Sequence, residues 1–593
     1  MMMKLIHVFL HLLLFVICGI TNAQETSSVS IPFSTELTPD VTVMIPMRDG
    51  FLLPTDLYLP HPDAIGLPCI LIRSPSGREG EWKSFAKIAK SGYVVAIQST
   101  RSILDTEGKT LPFLTDGWGK LQDGYDTVAW LNKSPYTNGK IGTWGASALG
   151  ITQLLMAPTQ PPGLKCQYVV FAAASLYHHG LFPGGQLLKN QSENWLGLYA
   201  RDTGIISHIC QRPFYNDFWK QFDTVELAER IKVPAIHVGG WYDTFLQGTL
   251  TAFTSRQEKG GEGARGQQYL VIGPWTHFWP LNQNLGDFPV PEAGKKPPFD
   301  ISPQRWFDYY LKGEDNGVNT LPPIIYYVMG PFDQTPSGGN IWRTAKRWPV
   351  PAILTPFYLS PDLGLQNRTS FESILSYLHD PQNVIPTLGG RNLFLESGPK
   401  DQRPIESRDD ILVFTTPPLE EEIEVTGNLT AKLFVVTDQI DTDFVVRLCD
   451  VYPDGRSLLV ADGNYRLAVM CRPDMMELQK QLAHRKRWQW DPFIELKSVK
   501  PLEIDVDLSA TSLVFAKGHS IRISISSSNY PRFEKNMNVG LFGANSGSFK
   551  LAKNTIYMGK RYPSHILIPI VRNGNRWLVP RNSVNPPTSH TPS

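Results

Sequence analysis

The chain has 593 residues, 42% of them hydrophobic, with 56 lysines and arginines against 55 aspartates and glutamates for a net charge of +1. That length exceeds what one hydrophobic core serves, so two or three domains are expected. The near-neutral balance projects no broad field toward nucleic acid or an anionic membrane, and neither is expected as a partner.

At the N-terminus, Lys4 precedes an apolar stretch over residues 5–17, and Thr21-Asn22-Ala23 offers a small-residue cleavage site before Gln24. Residues 1–23 therefore read as a secretory signal peptide, its apolar part too short to span a bilayer. The bulky Ile17 in front of Cys18 disfavours a lipid-anchored cysteine. The mature chain is expected to be secreted or periplasmic and free of membrane. Its five remaining cysteines, Cys69, Cys166, Cys210, Cys449 and Cys471, are odd in number and widely spread, which is no disulfide framework. Buried free thiols are the simpler reading, with a Cys449–Cys471 bridge left open. There is no CxxC pair and no HExxH, and His178-His179 is the sole adjacent histidine pair, so neither a catalytic metal nor another cofactor is expected.

Between residues 68 and 273, β-type runs at 69–73, 93–98, 140–144, 168–172, 235–239 and 269–272 alternate with helix-like stretches such as 82–90 and 125–133. Such alternation predicts a doubly wound α/β domain, its sheet largely parallel with helices on both faces. Asp123 and Asp126, at the start of the second helix-like stretch, read as capping or surface carboxylates. Residues 177–224, rich in aromatic and polar side chains, interrupt the pattern and read as an inserted cap. Beyond about residue 349, short β runs such as 411–415, 429–436, 443–450 and 520–526 are separated by turn residues, the pattern of an antiparallel sandwich.

The most informative segment is Gly145-Ala146-Ser147-Ala148-Leu149-Gly150, between the β run 140–144 and an apolar helix-like stretch over 148–156. A serine hydroxyl is a poor nucleophile at its own pKa. It must stand clear of the backbone beside a base, with N–H donors facing the carbonyl it attacks. Glycines flanking a strand-to-helix turn permit that arrangement, although the spacing is G-x-S-x-x-G rather than the commoner G-x-S-x-G. Two later β runs end in Trp241-Tyr242-Asp243 and in Pro274-Trp275-Thr276-His277, supplying an acid and a histidine in the chain order Ser, Asp, His. In the implied chemistry Ser147 attacks an acyl carbonyl, His277 carries its proton to the leaving group, and Asp243 fixes the imidazole tautomer. The competing readings are Asp243 as a cap for a helix beginning near Thr244, and His277 as a core histidine beside Trp275, Phe278 and Trp279.

Residues 139–147, 237–243 and 271–277 resemble the cocaine esterase and Xaa-Pro dipeptidyl-peptidase family of serine hydrolases, which also contains glutaryl-cephalosporin acylases and α-amino acid ester hydrolases. So do Gln122-Asp123-Gly124-Tyr125-Asp126-Thr127 and residues 446–455, and the likeness extends from about Thr42 to about Pro569. The resemblance implies an α/β-hydrolase domain in two parts (36–176 and 227–350), a helical cap (177–226), a jelly-roll-like β-sandwich (351–575) and a tail (576–593).

It also implies an oxyanion hole made by the N–H of Ala148 and by a tyrosine in a segment Arg-x-Pro-Tyr. Here that segment reads Arg73-Ser74-Pro75-Ser76, so Ser76, a backbone amide or Tyr177 must substitute. The family's α-amino acid ester hydrolases hold the substrate ammonium with carboxylates at the strand-to-cap junction and just after the triad aspartate. Ser175-Leu176-Tyr177 and Thr244-Phe245-Leu246 stand at those places without an acid. Trp144, Tyr177, Trp195, Phe245 and Trp275 are the candidate lining of an apolar acyl pocket. The sequence therefore reads as a secreted serine hydrolase that cleaves an ester or amide of a small or peptide-like acyl substrate through an acyl-enzyme. A dipeptidyl-peptidase acting after proline is the alternative, and a non-catalytic extracellular binding protein with a vestigial triad is the alternative of another class. Oligomeric state is left open.

Overall fold

The computed structural model describes residues 37–79, 81–101, 112–199, 204–471, 501–540 and 547–571. The expected signal peptide and C-terminal tail lie outside them.

The apolar runs rich in valine, isoleucine and leucine form the middle of a ten-stranded sheet. Its strands are β1 (Val41–Pro46), β2 (Leu52–Tyr58), β3 (Leu67–Ser74), β4 (Val94–Ser99), β5 (Thr137–Ala146), β6 (Leu164–Val170), β7 (Ala235–Tyr242), β8 (Gln268–Thr276), β11 (Ile324–Val328) and β12 (Ile341–Ala345). A two-residue hairpin, β9 (Asn284–Leu285) and β10 (Phe288–Pro289), stands apart. The spatial order is β1-β2-β4-β3-β5-β6-β7-β8-β11-β12. From β4 to β11 neighbouring strands are parallel, and the antiparallel pairs β1/β2, β2/β4 and β11/β12 finish the two edges. Chain order reverses direction between β3 and β5. In open α/β sheets the crevice beyond the strand ends at such a reversal is where ligands bind.

The helix Asp123–Lys133 covers one of the predicted helical stretches, whereas the other folds as a 3₁₀ run, Glu81–Ser91. Asp123 is buried rather than exposed. It accepts from Arg101 at 3.0 Å (Nε) and 2.9 Å (Nη2), while Asp126 accepts from the guanidinium and backbone N–H of Arg48. Neither side chain caps its helix. The burial of Asp123 corrects the sequence reading, whereas Asp126 pairs with Arg48 at the surface; both partners lie upstream in the chain, where local periodicity carries no trace of them.

Residues inserted between β6 and β7 form short helices, Tyr177–Leu181, Lys189–Tyr199, Ile205–Cys210 and Asp217–Lys220. After β12 the chain builds two antiparallel sheets. One runs Leu365–Gln366, Ile353–Leu359, His565–Ile570, Ile423–Thr437, Ala552–Met558, Ser373–His379, with Leu502–Phe515 also paired to Ile423–Thr437. The other runs Leu412–Thr415, Ser520–Ser526, Asp443–Val451, Ser457–Arg466. Its last two strands are buried at every position, not at alternate ones. Contacts from outside the sandwich reach both strands: the Tyr242 hydroxyl donates to Leu459 O at 2.7 Å, Asn464 Nδ2 to Pro183 O at 2.8 Å, and Gln186 Nε2 to Asp443 Oδ2 at 2.6 Å. Cys69, Cys166 and Cys449 are buried, Cys210 is exposed and Cys471 half-buried, and all five are free thiols.

Candidate active site

β5 ends at Ala146, and the helix Ala148–Met156 begins one residue later, so Ser147 makes the whole turn. Its backbone stands at φ 57°, ψ −124°, a conformation that side chains rarely adopt and that persists only where the surroundings enforce it. They do so here. Ser147 N–H donates to Val170 O at the end of β6, and Ser147 O accepts from Gly150 and Ile151, each at 2.9 Å. Gln153 braces the turn by donating from Nε2 to Gly145 O, Leu149 O and Tyr168 O.

The two glycines are required by contact. A Cβ on Gly145 would lie 2.5 Å from the Leu149 Cβ, and one on Gly150 would lie 2.7 Å from the Ala172 Cβ. Gly150→Ala is therefore expected to lower stability by about 1–3 kcal/mol through overpacking, measured as a fall in the urea midpoint at unchanged slope.

A serine at a helix N-cap ordinarily spends its oxygen on the helix N–H groups. Ser147 makes no such bond; its Oγ lies 3.0 Å from His277 Nε2. On the other side of the ring, His277 Nδ1 lies 2.6 Å from Asp243 Oδ1. Asp243 follows β7 and His277 follows β8, its neighbour, while Ser147 follows β5 on the far side of β6, so the three side chains leave the same edge of the parallel sheet. All three are buried. Asp243 does not cap the next helix, Leu246–Lys259, whose N-cap residue is Phe245. With the carboxylate on Nδ1, the ring carries its proton there and turns a bare Nε2 lone pair to the serine hydroxyl.

Aromatic rings box the imidazole: Phe245 at 5.4 Å, Phe278 at 5.6 Å and Phe171 at 5.7 Å between centroids. Phe245 packs on Trp195 of the cap at 5.7 Å, and Trp195 stacks on Phe113 at 5.6 Å. Trp195 and Phe245 thus join the site. The other three pocket candidates lie elsewhere. Trp144 packs on Phe85, Tyr168 and Phe307. Trp275 stacks on Trp279 and donates its N–H to Gly294 O. Tyr177 sits among Phe182, Tyr215 and Trp219 inside the cap. Phe113 and Phe171 are marked by nothing in the sequence. Only Phe278, next to His277, carried a positional signal.

The Ala148 N–H opens its helix, where the first N–H groups have no intrahelical acceptor. The Tyr177 hydroxyl donates to Pro213 O at 2.7 Å, which engages the alternative donor from the cap. Ser76 lies just past β3, the parallel neighbour of β5, and its Oγ is 3.0 Å from Ser74 Oγ. At the two places that hold an ammonium-binding acid in α-amino acid ester hydrolases, Thr244 donates to Gln191 Oε1 at 2.6 Å, and Ser175 is bridged to Asp223. The Asp223 carboxylate is engaged by the Tyr215 hydroxyl and the Val225 N–H, both at 3.0 Å. Among the described residues no group of three His, Cys, Asp or Glu side chains is placed to hold a metal ion.

Comparison with known proteins gives a consistent result. Residues 49–203 and 188–279 match the model of the X-Pro dipeptidyl-peptidase (S15) family, and residues 316–567 match the X-Pro dipeptidyl-peptidase C-terminal non-catalytic domain. The chain is 31% identical over 610 residues to cocaine esterase from Rhodococcus sp. (strain MB1 Bresler), covering 89% of this chain and 98% of that protein. Two solved structures share the fold, each covering 93% of this chain and 100% of the other. They are an aminopeptidase from a marine sediment Thaumarchaeota archaeon (TM-score 0.74, 23% identity) and an α-amino acid ester hydrolase (TM-score 0.69, 22% identity).

Proposed function

The chain belongs to the S15 family of serine hydrolases, and from that membership we propose that Ser147, His277 and Asp243 act as a catalytic triad cleaving an ester of an apolar acyl group through an acyl-enzyme. The carrying observation is the hydrogen-bonded series from Ser147 Oγ to His277 Nε2 and from His277 Nδ1 to Asp243, completed without any movement of the chain. His277 takes the serine proton as the acyl carbonyl is attacked and returns it to the leaving alkoxide. Water then follows the same route to release the acid. This contact supports an enzyme over a binding protein with a vestigial triad.

Ester or N-acyl substrates come before peptides because the rings around His277 offer apolar surface, and the carboxylate at the cap junction is already engaged by Tyr215 and Val225. An aminopeptidase has to pair its substrate's ammonium with a negative group. The family's X-Pro dipeptidyl-peptidases keep that alternative specific. A screen of p-nitrophenyl acyl esters, N-acyl anilides and Gly-Pro-anilide separates the two: ester turnover supports the proposal, and turnover of Gly-Pro-anilide alone overturns it.

Ser76 is the proposed second oxyanion donor, positioned by Ser74 at the end of the strand next to β5. Removing one such donor costs about 10²–10³ in kcat, so Ser76→Ala is expected to fall in that range with little change in KM, read from steady-state ester hydrolysis. Export by cleavage after Ala23 is also proposed, from Lys4, the apolar stretch and the small residues before Gln24. The mass of the purified mature protein is expected to begin at Gln24.

A further inference from the structure

Between the helix Leu246–Lys259 and the sheet, Arg256 is 0% exposed. Its Nη1 donates to Gln167 Oε1 at 2.8 Å. Nε and Nη2, which together form the side of the guanidinium that grips an anion through two parallel N–H groups, meet no acceptor among the described residues. Burial is the only influence that shifts its pKa, bringing it down to about 9, so the side chain still carries its charge at neutral pH.

The surroundings are neutral. Gln167 is held by Thr143 Oγ1 at 3.3 Å and by Gln153 O at 2.9 Å. His237, also 0% exposed, meets Gln268 Oε1 through Nε2 at 3.2 Å. The amide of Gln268 is oriented by its donation to Val233 O and Ala264 O. The ring proton of His237 therefore sits on Nε2, and burial, with the guanidinium nearby, lowers its pKa to about 3. A buried charge without a partner is expensive, and a guanidinium does not escape by losing its proton. What relieves it must be negative, small enough to enter a fully buried layer, and able to accept two convergent N–H bonds at once.

We propose that Arg256 holds a chloride ion on the Nε/Nη2 edge of its guanidinium, as a structural anion between the helix Leu246–Lys259 and the sheet. Two measurements test it on the full-length protein. Thermal unfolding is followed at fixed ionic strength as sodium chloride replaces sodium gluconate. Each tenfold rise in chloride above its dissociation constant is expected to raise Tm by about 1 °C, and Arg256→Met is expected to remove the dependence. If that variant does not fold, crystals of the unaltered protein grown in bromide decide the matter. An anomalous peak on the guanidinium fork supports the proposal. A water refined there with no halide peak overturns it, with the charge then offset by the carbonyl end of the helix alone.

Discussion

Replacing Ser147 by alanine is expected to lower kcat for ester hydrolysis by about 10⁶-fold while leaving the thermal midpoint close to that of the parent. Both halves follow from the geometry. The Ser147 hydroxyl is committed to His277, not to capping its helix, so its loss removes the nucleophile and leaves the turn intact. Alanine keeps the same Cβ, so the unusual backbone at φ 57° is no more strained than before. The residual rate belongs to the N–H donors and to substrate binding, which survive the change. Steady-state kinetics and a melting curve on one preparation check the prediction. A variant retaining a tenth of the activity would place the nucleophile elsewhere.

Asp243→Asn is expected to cost about 10⁴-fold in kcat near neutral pH, with KM little altered. Asp243 Oδ1 stands 2.6 Å from His277 Nδ1, and both groups are fully buried, so no water can take over the pairing. Asparagine is almost the same shape, but it can present an N–H to that nitrogen. The ring then holds its proton on Nε2, where it faces Ser147 and cannot accept. The loss is therefore one of tautomer, and it is read as a fall in kcat from an enzyme whose unfolding transition is unchanged. A loss of ten-fold or less would mean that the carboxylate does not orient the ring.

What the sequence revealed of this site, and what it hid, divides along a physical line. Ser147, Asp243 and His277 are legible because each follows directly on a β run, and strand ends in a parallel sheet converge at one edge. The two glycines around the serine are legible for the same reason, their close neighbours being one turn of helix and one strand away. The ring of aromatic side chains around His277 is less legible. Trp144 and Trp275 lie within three residues of Ser147 and His277 yet pack into the core against Phe85 and Trp279. Which way such a ring points depends on strand twist and on helices distant in the chain. Phe113 reaches the site by stacking on a tryptophan from the cap, a pairing that no local pattern announces. The same holds for Asp123, whose burial is explained only by Arg101, and for the two edge hairpins of the sheet, β1/β2 and β11/β12, which lie outside the alternating pattern.

Covalent labelling tests the central claim most directly. The account predicts that a fluorophosphonate adds once to the native protein, that peptide mapping finds the adduct on Ser147, and that His277→Ala labels far more slowly. Native protein that hydrolyses esters yet stays unlabelled at Ser147, or labels there at the same rate without the imidazole, would contradict it.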